Sequence, residues 1–153
     1  MTVSRRLGRV LLIALAAALT AGCGAEPFTL SASGPFMYPA TTSASLDRVA
    51  IVVTIASQSG DDLLVSPADF AARDGERRLY VANPAATAAD VGLVNRAPDV
   101  RGTLPLPSIT LRRGDVLSGY VVFDVPAGVR PVEVVWRQTD GDVSARLAGA
   151  RPG

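Results

Sequence analysis

Val116-Leu117-Ser118-Gly119-Tyr120-Val121-Val122-Phe123-Asp124-Val125, closed by Pro126-Ala127-Gly128, is the stretch that decides the fold. It is the most strand-like segment of the chain, because valine, tyrosine and phenylalanine fit a pleated, buried surface. Pro-Ala-Gly then supplies turn chemistry and stops it. On its N-terminal side Arg113-Gly114-Asp115 makes a turn back to a short strand at Ile109 to Arg112. On its C-terminal side Pro131 to Arg137 alternates, with Val132, Val134 and Trp136 on one face. Thr139-Asp140-Gly141-Asp142 turns into a last strand, Val143 to Leu147, and Ala148 to Gly153 reads as a loose tail.

Further out, Leu46 to Ser57 is the second strong strand. Val49, Ile51, Val53 and Ile55 fall on one face and Ala50, Val52 and Thr54 on the other. Two apolar faces predict a central strand. Phe28 to Ser33 alternates like a half-buried strand, Gly34-Pro35 is expected to break it, and Phe36 to Ala44 is turn-rich. Phe70 to Arg73 and Arg77 to Val81 flank Asp74-Gly75-Glu76, a hairpin signal. Asn83-Pro84 offers an N-cap and a proline at the first helical position, which predicts a short helix over 85–89. Gly92 to Pro107 reads as irregular chain. Short strands at regular spacing with turns between them predict an all-β fold: an antiparallel β-sandwich of seven or eight strands with one short helix, one domain over 28–147.

Ahead of this domain the chain changes character. Met1 to Arg9 is basic, Val10 to Ala21 is uncharged and mostly apolar, and small residues then meet Cys23. That is the order of a secretory signal, which would enter the membrane as a helix. The uncharged run from Val10 to Ala25 is 16 residues, shorter than the roughly 20 that span a bilayer. Leu19-Thr20-Ala21-Gly22-Cys23 resembles the lipobox of bacterial lipoproteins, with Thr20 where that pattern prefers leucine. The resemblance implies a signal peptide over 1–22, cleavage between Gly22 and Cys23, lipid attachment at Cys23 and a tether over 23–27. Ser4-Arg5-Arg6-Leu7 also resembles the twin-arginine export signal, but Gly8 and Arg9 stand where apolar residues are expected.

Composition removes whole classes of function. The 153 residues contain no histidine, so Ser-His-Asp and Cys-His nucleophiles, histidine metal sites and imidazole proton shuttles are excluded. Cys23 is the one cysteine, so no internal disulfide forms and the thiol is assigned to lipid. Beyond residue 22 there are 12 arginines and 14 acidic residues, a net charge of −2. Nucleic acid needs a basic surplus and is not expected as a partner.

The remaining polar residues have structural readings. Asp61, Asp62, Asp74, Asp115, Asp140 and Asp142 fall at turns, where aspartate caps the backbone with its own carboxylate. Calcium at Asp140-Gly141-Asp142 or Asp61-Asp62 lacks the six or more oxygens the ion takes. Arg77-Arg78 and Arg112-Arg113 read as solvated faces, and Trp136 and Tyr120 as core. Ser118-Gly119 lacks the strand-turn-helix setting of a nucleophile elbow.

Three phrases carry a resemblance to a family. They are Val49 to Ile55; Ser66-Pro67-Ala68-Asp69-Phe70 followed by Asp74-Gly75; and Leu111-Arg112-Arg113-Gly114-Asp115 with Gly119-Tyr120-Val121-Val122-Phe123-Asp124-Val125-Pro126. They resemble the telokin-like, immunoglobulin-like domains of secreted and lipid-anchored bacterial proteins, a family of unknown function related to immunoprotective extracellular proteins. Ala56-Ser57 departs from it, since such domains often carry asparagine there. The resemblance implies an immunoglobulin-like fold and an extracytoplasmic location, with no catalytic site to carry over.

The expected function is therefore a non-enzymatic module, without cofactor or metal, held by a lipid anchor at the outer face of the cytoplasmic membrane. It would act through an unidentified protein or envelope partner, with Asn83 to Pro107 as its contact surface. The alternative is a small-ligand or cation-binding accessory lipoprotein of a transporter.

Overall fold

The computed structural model describes residues 27–38 and 43–149. In chain order the elements are β1 (Phe28–Met37), β2 (Leu46–Ser57), β3 (Leu63–Val65), a 3-10 turn (Pro67–Asp69), β4 (Phe70–Asp74) and β5 (Leu79–Val81). There follow α1 (Pro84–Ala89), α2 (Val91–Val94), a second 3-10 turn (Pro98–Val100), β6 (Ile109–Leu111), β7 (Val116–Pro126), β8 (Pro131–Trp136) and β9 (Val143–Ala148). Gly22, Cys23, the signal segment and the last residues of the tail lie outside the described residues.

Seven strands form one sheet in the order β5-β4-β8-β9-β1-β2-β7, and β3 pairs with β6 as a separate ladder. The two strongest sequence segments form its spine: β2 pairs antiparallel with β7 from Leu46↔Pro126 to Ala56↔Val116. As expected, β2 is central, between β1 and β7. The sheet is mixed, which departs from the all-antiparallel expectation. β9 is set antiparallel to β8 over four pairs, and its free edge meets β1, whose direction β2 has already fixed. The result is a short parallel contact, Ala32↔Leu147 and Ser33↔Ala148. The ends of the sheet approach each other through an Ala82↔Phe123 bridge, so it is nearly barrel-like.

Side chains facing inward make the first core. Val49, Ile51, Val53 and Ile55 of β2 meet Val121, Phe123 and Val125 of β7, with Phe28, Phe70, Val134, Trp136 and Leu147 from the other strands. Trp136 is 1% exposed; it packs edge-on to Phe28 at 4.8 Å and stacks on Phe70 at 5.8 Å. It is core, as expected.

Three local details differ from the sequence reading. Gly34-Pro35 bends β1 without ending it: the register with β2 shifts between Ser33 and Phe36, and Gly34 takes φ +123°, a conformation other residues resist. The Asp-Gly hairpin exists, but β4 pairs β5 from Arg73↔Leu79, so its loop is longer than two residues. Asp74 organises that loop: Oδ1 accepts from the backbone N–H groups of Glu76 and Arg78, both at 2.9 Å, and Oδ2 accepts from the Tyr80 hydroxyl at 2.8 Å. Finally, nine strands stand among the described residues, the additional one being β3, and Gly92 to Pro107, expected as irregular chain, holds the end of α2 and the Pro98–Val100 turn before it runs on as turn and coil.

Candidate functional site

The segment expected to be an exposed loop, Asn83 to Pro107, is a folded cap. Asn83 caps α1 as the sequence predicts, its Oδ1 accepting from the Ala86 N–H at 2.9 Å, with Pro84 opening the helix. α2 and the Pro98–Val100 turn follow at once. Ala86, Val94 and Val100 from this cap bury against Ala50, Tyr120 and Val122 on the outward face of β2 and β7, and against Tyr38. This second core explains why both faces of those strands are apolar. The cap returns to the sheet at Leu104 to Leu106: the Tyr120 N–H donates to the Leu104 carbonyl at 3.0 Å, and the Leu106 N–H to the Tyr120 carbonyl at 2.9 Å.

A polar network locks the cap at the end of β1, the start of β2 and the end of β7. The Arg48 Nε donates to Asp124 Oδ1 at 2.7 Å and its Nη1 to Asp90 Oδ2 at 3.1 Å. Asp90 Oδ2 also accepts from the Tyr38 hydroxyl at 2.7 Å. The Asn83 Nδ2 donates to Asp124 Oδ2 at 2.7 Å. Thr87 adds a bond from its hydroxyl to the Asn83 carbonyl and accepts from the Val122 N–H. One arginine thus serves two carboxylates, Asp90 of the cap and Asp124 of β7.

Burial, then the bond to Asp90, pushes the Tyr38 phenol well above its ordinary range, so it stays a neutral donor. Burial, reinforced by the Asp90 charge, likewise raises Tyr120. For Asp124, burial works upward but is outweighed by the bonds from Arg48 and Asn83 and by the Arg48 charge, and its carboxyl lies below the ordinary range. A carboxylate with a lowered folded value stabilises the fold above its unfolded pKa, about 4, and loses that contribution as pH falls through the folded value. Thermal unfolding followed from pH 7 downward should therefore show Tm dropping below about pH 4. Asp124→Asn should flatten that drop, leaving the part due to Asp74, whose carboxyl is lowered too: burial opposes this and the bonds from Tyr80 and Arg78 overcome it. An unaltered slope in Asp124→Asn would place the acid sensitivity elsewhere.

Two open grooves flank this framework. One, of about 390 Å³, runs between α1 and the chain before β6; Pro67, Pro84, Pro105 and Pro107 line it together with Thr87 and Leu106. The Ser108 hydroxyl donates to the Ser66 hydroxyl at 3.2 Å on its wall. No ionisable side chain lines it. The other, of about 340 Å³, lies beyond the end of β8 and is lined by Asp69, Arg137, Gln138, Thr139 and Asp140 beside Leu64. The Gln138 Nε2 is buried there without a hydrogen-bond partner.

The remaining sequence candidates fall as follows. Asp115 closes the turn before β7 by accepting from the Arg112 N–H at 2.7 Å. Arg78 pairs with Glu76 on the surface. Ser118 lies within β7 and bonds Thr54 at 2.9 Å. Among the described residues, no three acidic, cysteine or histidine side chains come together as a metal site. Sequence reasoning missed Tyr38, Arg48, Asp90 and Asp124. The available signal was a charge inside an otherwise apolar strand, Arg48 in β2 and Asp124 in β7, which burial tolerates only when paired.

No protein-family model matches the chain, and no curated protein matches it in sequence. Among solved structures it is similar to MPT63, a secreted protein from Mycobacterium tuberculosis, with 16% identity over 78% of this chain and 81% of that one, at a TM-score of 0.49. It is similar to YcdA, a candidate lipoprotein from Bacillus subtilis subsp. subtilis str. 168, with 16% identity over 79% of this chain and 34% of that one, at 0.46. The YjhA protein of Bacillus subtilis is similar over 79% of this chain and 90% of its own, with 17% identity and a TM-score of 0.46.

Proposed function

We propose that this chain is a lipid-anchored extracytoplasmic module with an immunoglobulin-like sandwich, non-enzymatic, acting through contacts with a protein or envelope partner. The observation that carries the reading is Leu19-Thr20-Ala21-Gly22-Cys23, which sets a lone cysteine five residues before the first strand. The shared core supports the sandwich: within the one continuous sheet, β5-β4-β8-β9 and β1-β2-β7 contribute side chains to the same interior. Two acyl chains, at about 0.8 kcal/mol per buried CH₂, make a stable anchor where one short chain does not.

The proline-lined groove is the contact surface this reading favours. Prolines hold its walls with little entropy left to lose on binding. Deleting the cap would expose the second core and test folding, not contact. A surface substitution that fills the groove, Ala88→Trp, is the better probe. Crosslinking on intact cells should capture a partner with the native chain and lose it with Ala88→Trp at unchanged Tm. Equal capture by both would remove the groove from the reading. Cys23→Ser should abolish membrane retention and processing at Gly22; a normally processed, membrane-bound Cys23→Ser chain would overturn the anchor.

The unpartnered Gln138 Nε2 favours a second reading, a small-ligand accessory protein. A buried amide donor without a partner costs about 1–3 kcal/mol, which a ligand's acceptor atom would recover. The groove around that donor is lined by Asp69 and Asp140 as well as Arg137, and the donor calls for a polar molecule that carries an acceptor atom. Native mass spectrometry of the purified chain should retain such a molecule, and Gln138→Leu should release it; a ligand-free native chain would eliminate this reading.

A further inference from the structure

The register of the sheet assigns the two ends of the module different surroundings. We propose that the end formed by 58–62, 112–115 and 138–142 faces the lipid headgroups, and that the end bearing Arg48, Asp47 and Arg130 faces away. This rests on the anchor reading and adds the orientation.

Three observations place the exit of the tether. Phe28 pairs with Ser57 at the start of β1, the Gln58 N–H donates to the Pro27 carbonyl at 2.8 Å, and the Ser57 N–H donates to the Asp115 carbonyl at 2.9 Å. The same end carries the 138–142 turn, because Trp136 contacts Phe28 and pairs with Val143. From Cys23 to Pro27 the chain reaches at most about 14 Å. The opposite end is where Leu46 pairs with Pro126, the Gly128 N–H donates to Asp47 at 3.0 Å, and Asp74 pairs with Pro131. The twelve residues of β2 separate these ends by about 36 Å, more than twice the tether's reach.

Charge says how the near end meets the membrane. Asp61, Asp62, Asp115, Asp140 and Asp142 stand against Arg112 and Arg113 in its loops, a net of −3. An acidic end is not drawn down onto anionic lipid; the tether holds it there. The proline-lined groove then opens on the flank, since its Leu106 wall is bonded to Tyr120 near the middle of β7.

The test uses the lipidated full chain in vesicles of phosphatidylglycerol and phosphatidylcholine carrying a headgroup nitroxide. A fluorophore is placed through Asp62→Cys or Arg113→Cys for the near end and Glu76→Cys or Arg130→Cys for the far end, all exposed positions. Near-end labels should be quenched, and far-end labels roughly tenfold less, as expected for a separation of about 36 Å. Equal quenching at both ends, or the reverse order, overturns the orientation. Mass spectrometry of the N-terminal peptide separates the two claims: a lipidated Cys23 with the wrong quenching order sinks the orientation alone, whereas an unlipidated chain sinks the anchor and the orientation with it.

Discussion

Gly119→Ala should lower the stability of the domain by about 3 kcal/mol, the upper range for forcing extra atoms into a packed site. For a domain of this size that is a fall in Tm of roughly 10 °C. The added Cβ would lie 2.7 Å from the Leu106 Cα, 2.8 Å from its nitrogen and 3.2 Å from the Leu104 carbonyl oxygen. All three are backbone atoms, so no side chain can rotate out of the way. The strip from Leu104 to Leu106 would have to lift off β7, breaking its two backbone bonds to Tyr120 and pulling Leu106 out of the first core. Hydrogen exchange reads this directly: the Leu106 and Tyr120 amides should lose protection while those of β8 and β9 keep it. Gly60→Ala is the control, since nothing lies within 4 Å of its added Cβ. If both variants melt together, the close approach of the cap to β7 is not what Gly119 is for.

Arg48→Ala should cost about 3 kcal/mol. Removing one partner of a buried ion pair costs about 3–5 kcal/mol because the other charge is left unpaired. Here two carboxylates are left, but Arg48 and Asp124 are 21% and 28% exposed, and water screens part of the loss. The loss should be relieved in Arg48→Ala with Asp124→Asn, because the second change removes a charge the first one stranded. Urea unfolding of the two single variants and the double variant gives the coupling, expected at 1 kcal/mol or more. Additive losses would mean that the arginine merely packs. The network joins β1, β2 and β7 to the α1–α2 junction, so the cap should open first in Arg48→Ala, seen as early exposure of the Val94 and Val100 amides.

Much of the fold was legible because strands announce themselves locally. Alternation in Leu46 to Ser57, the apolar run at Val116 to Val125 and the Asn83-Pro84 cap are decided by neighbours in sequence, and each element stands within a few residues of its expected place. β3 escaped because three residues carry no period; it exists only because β6 arrives beside it, Leu63 opposite Leu111. The parallel contact of β1 and β9 was equally invisible, since it joins strands more than a hundred residues apart through two pairs.

The sequence by itself determined the strand segments, the hairpin, the start of α1, the exclusion of histidine chemistry and the cysteine that suggests an anchor. All of these depend on residue type and short-range spacing. Only the tertiary structure decided that Asn83 to Pro107 is a cap and not a loop, because its apolar residues have no period of their own and become a core only against Tyr120 and Val122. It alone joined Tyr38, Arg48, Asp90 and Asp124, which lie up to 86 residues apart and meet because burial of their charges requires partners. And it alone set Gly119 beneath the Leu106 backbone, where the absence of a side chain is what lets two stretches of chain touch.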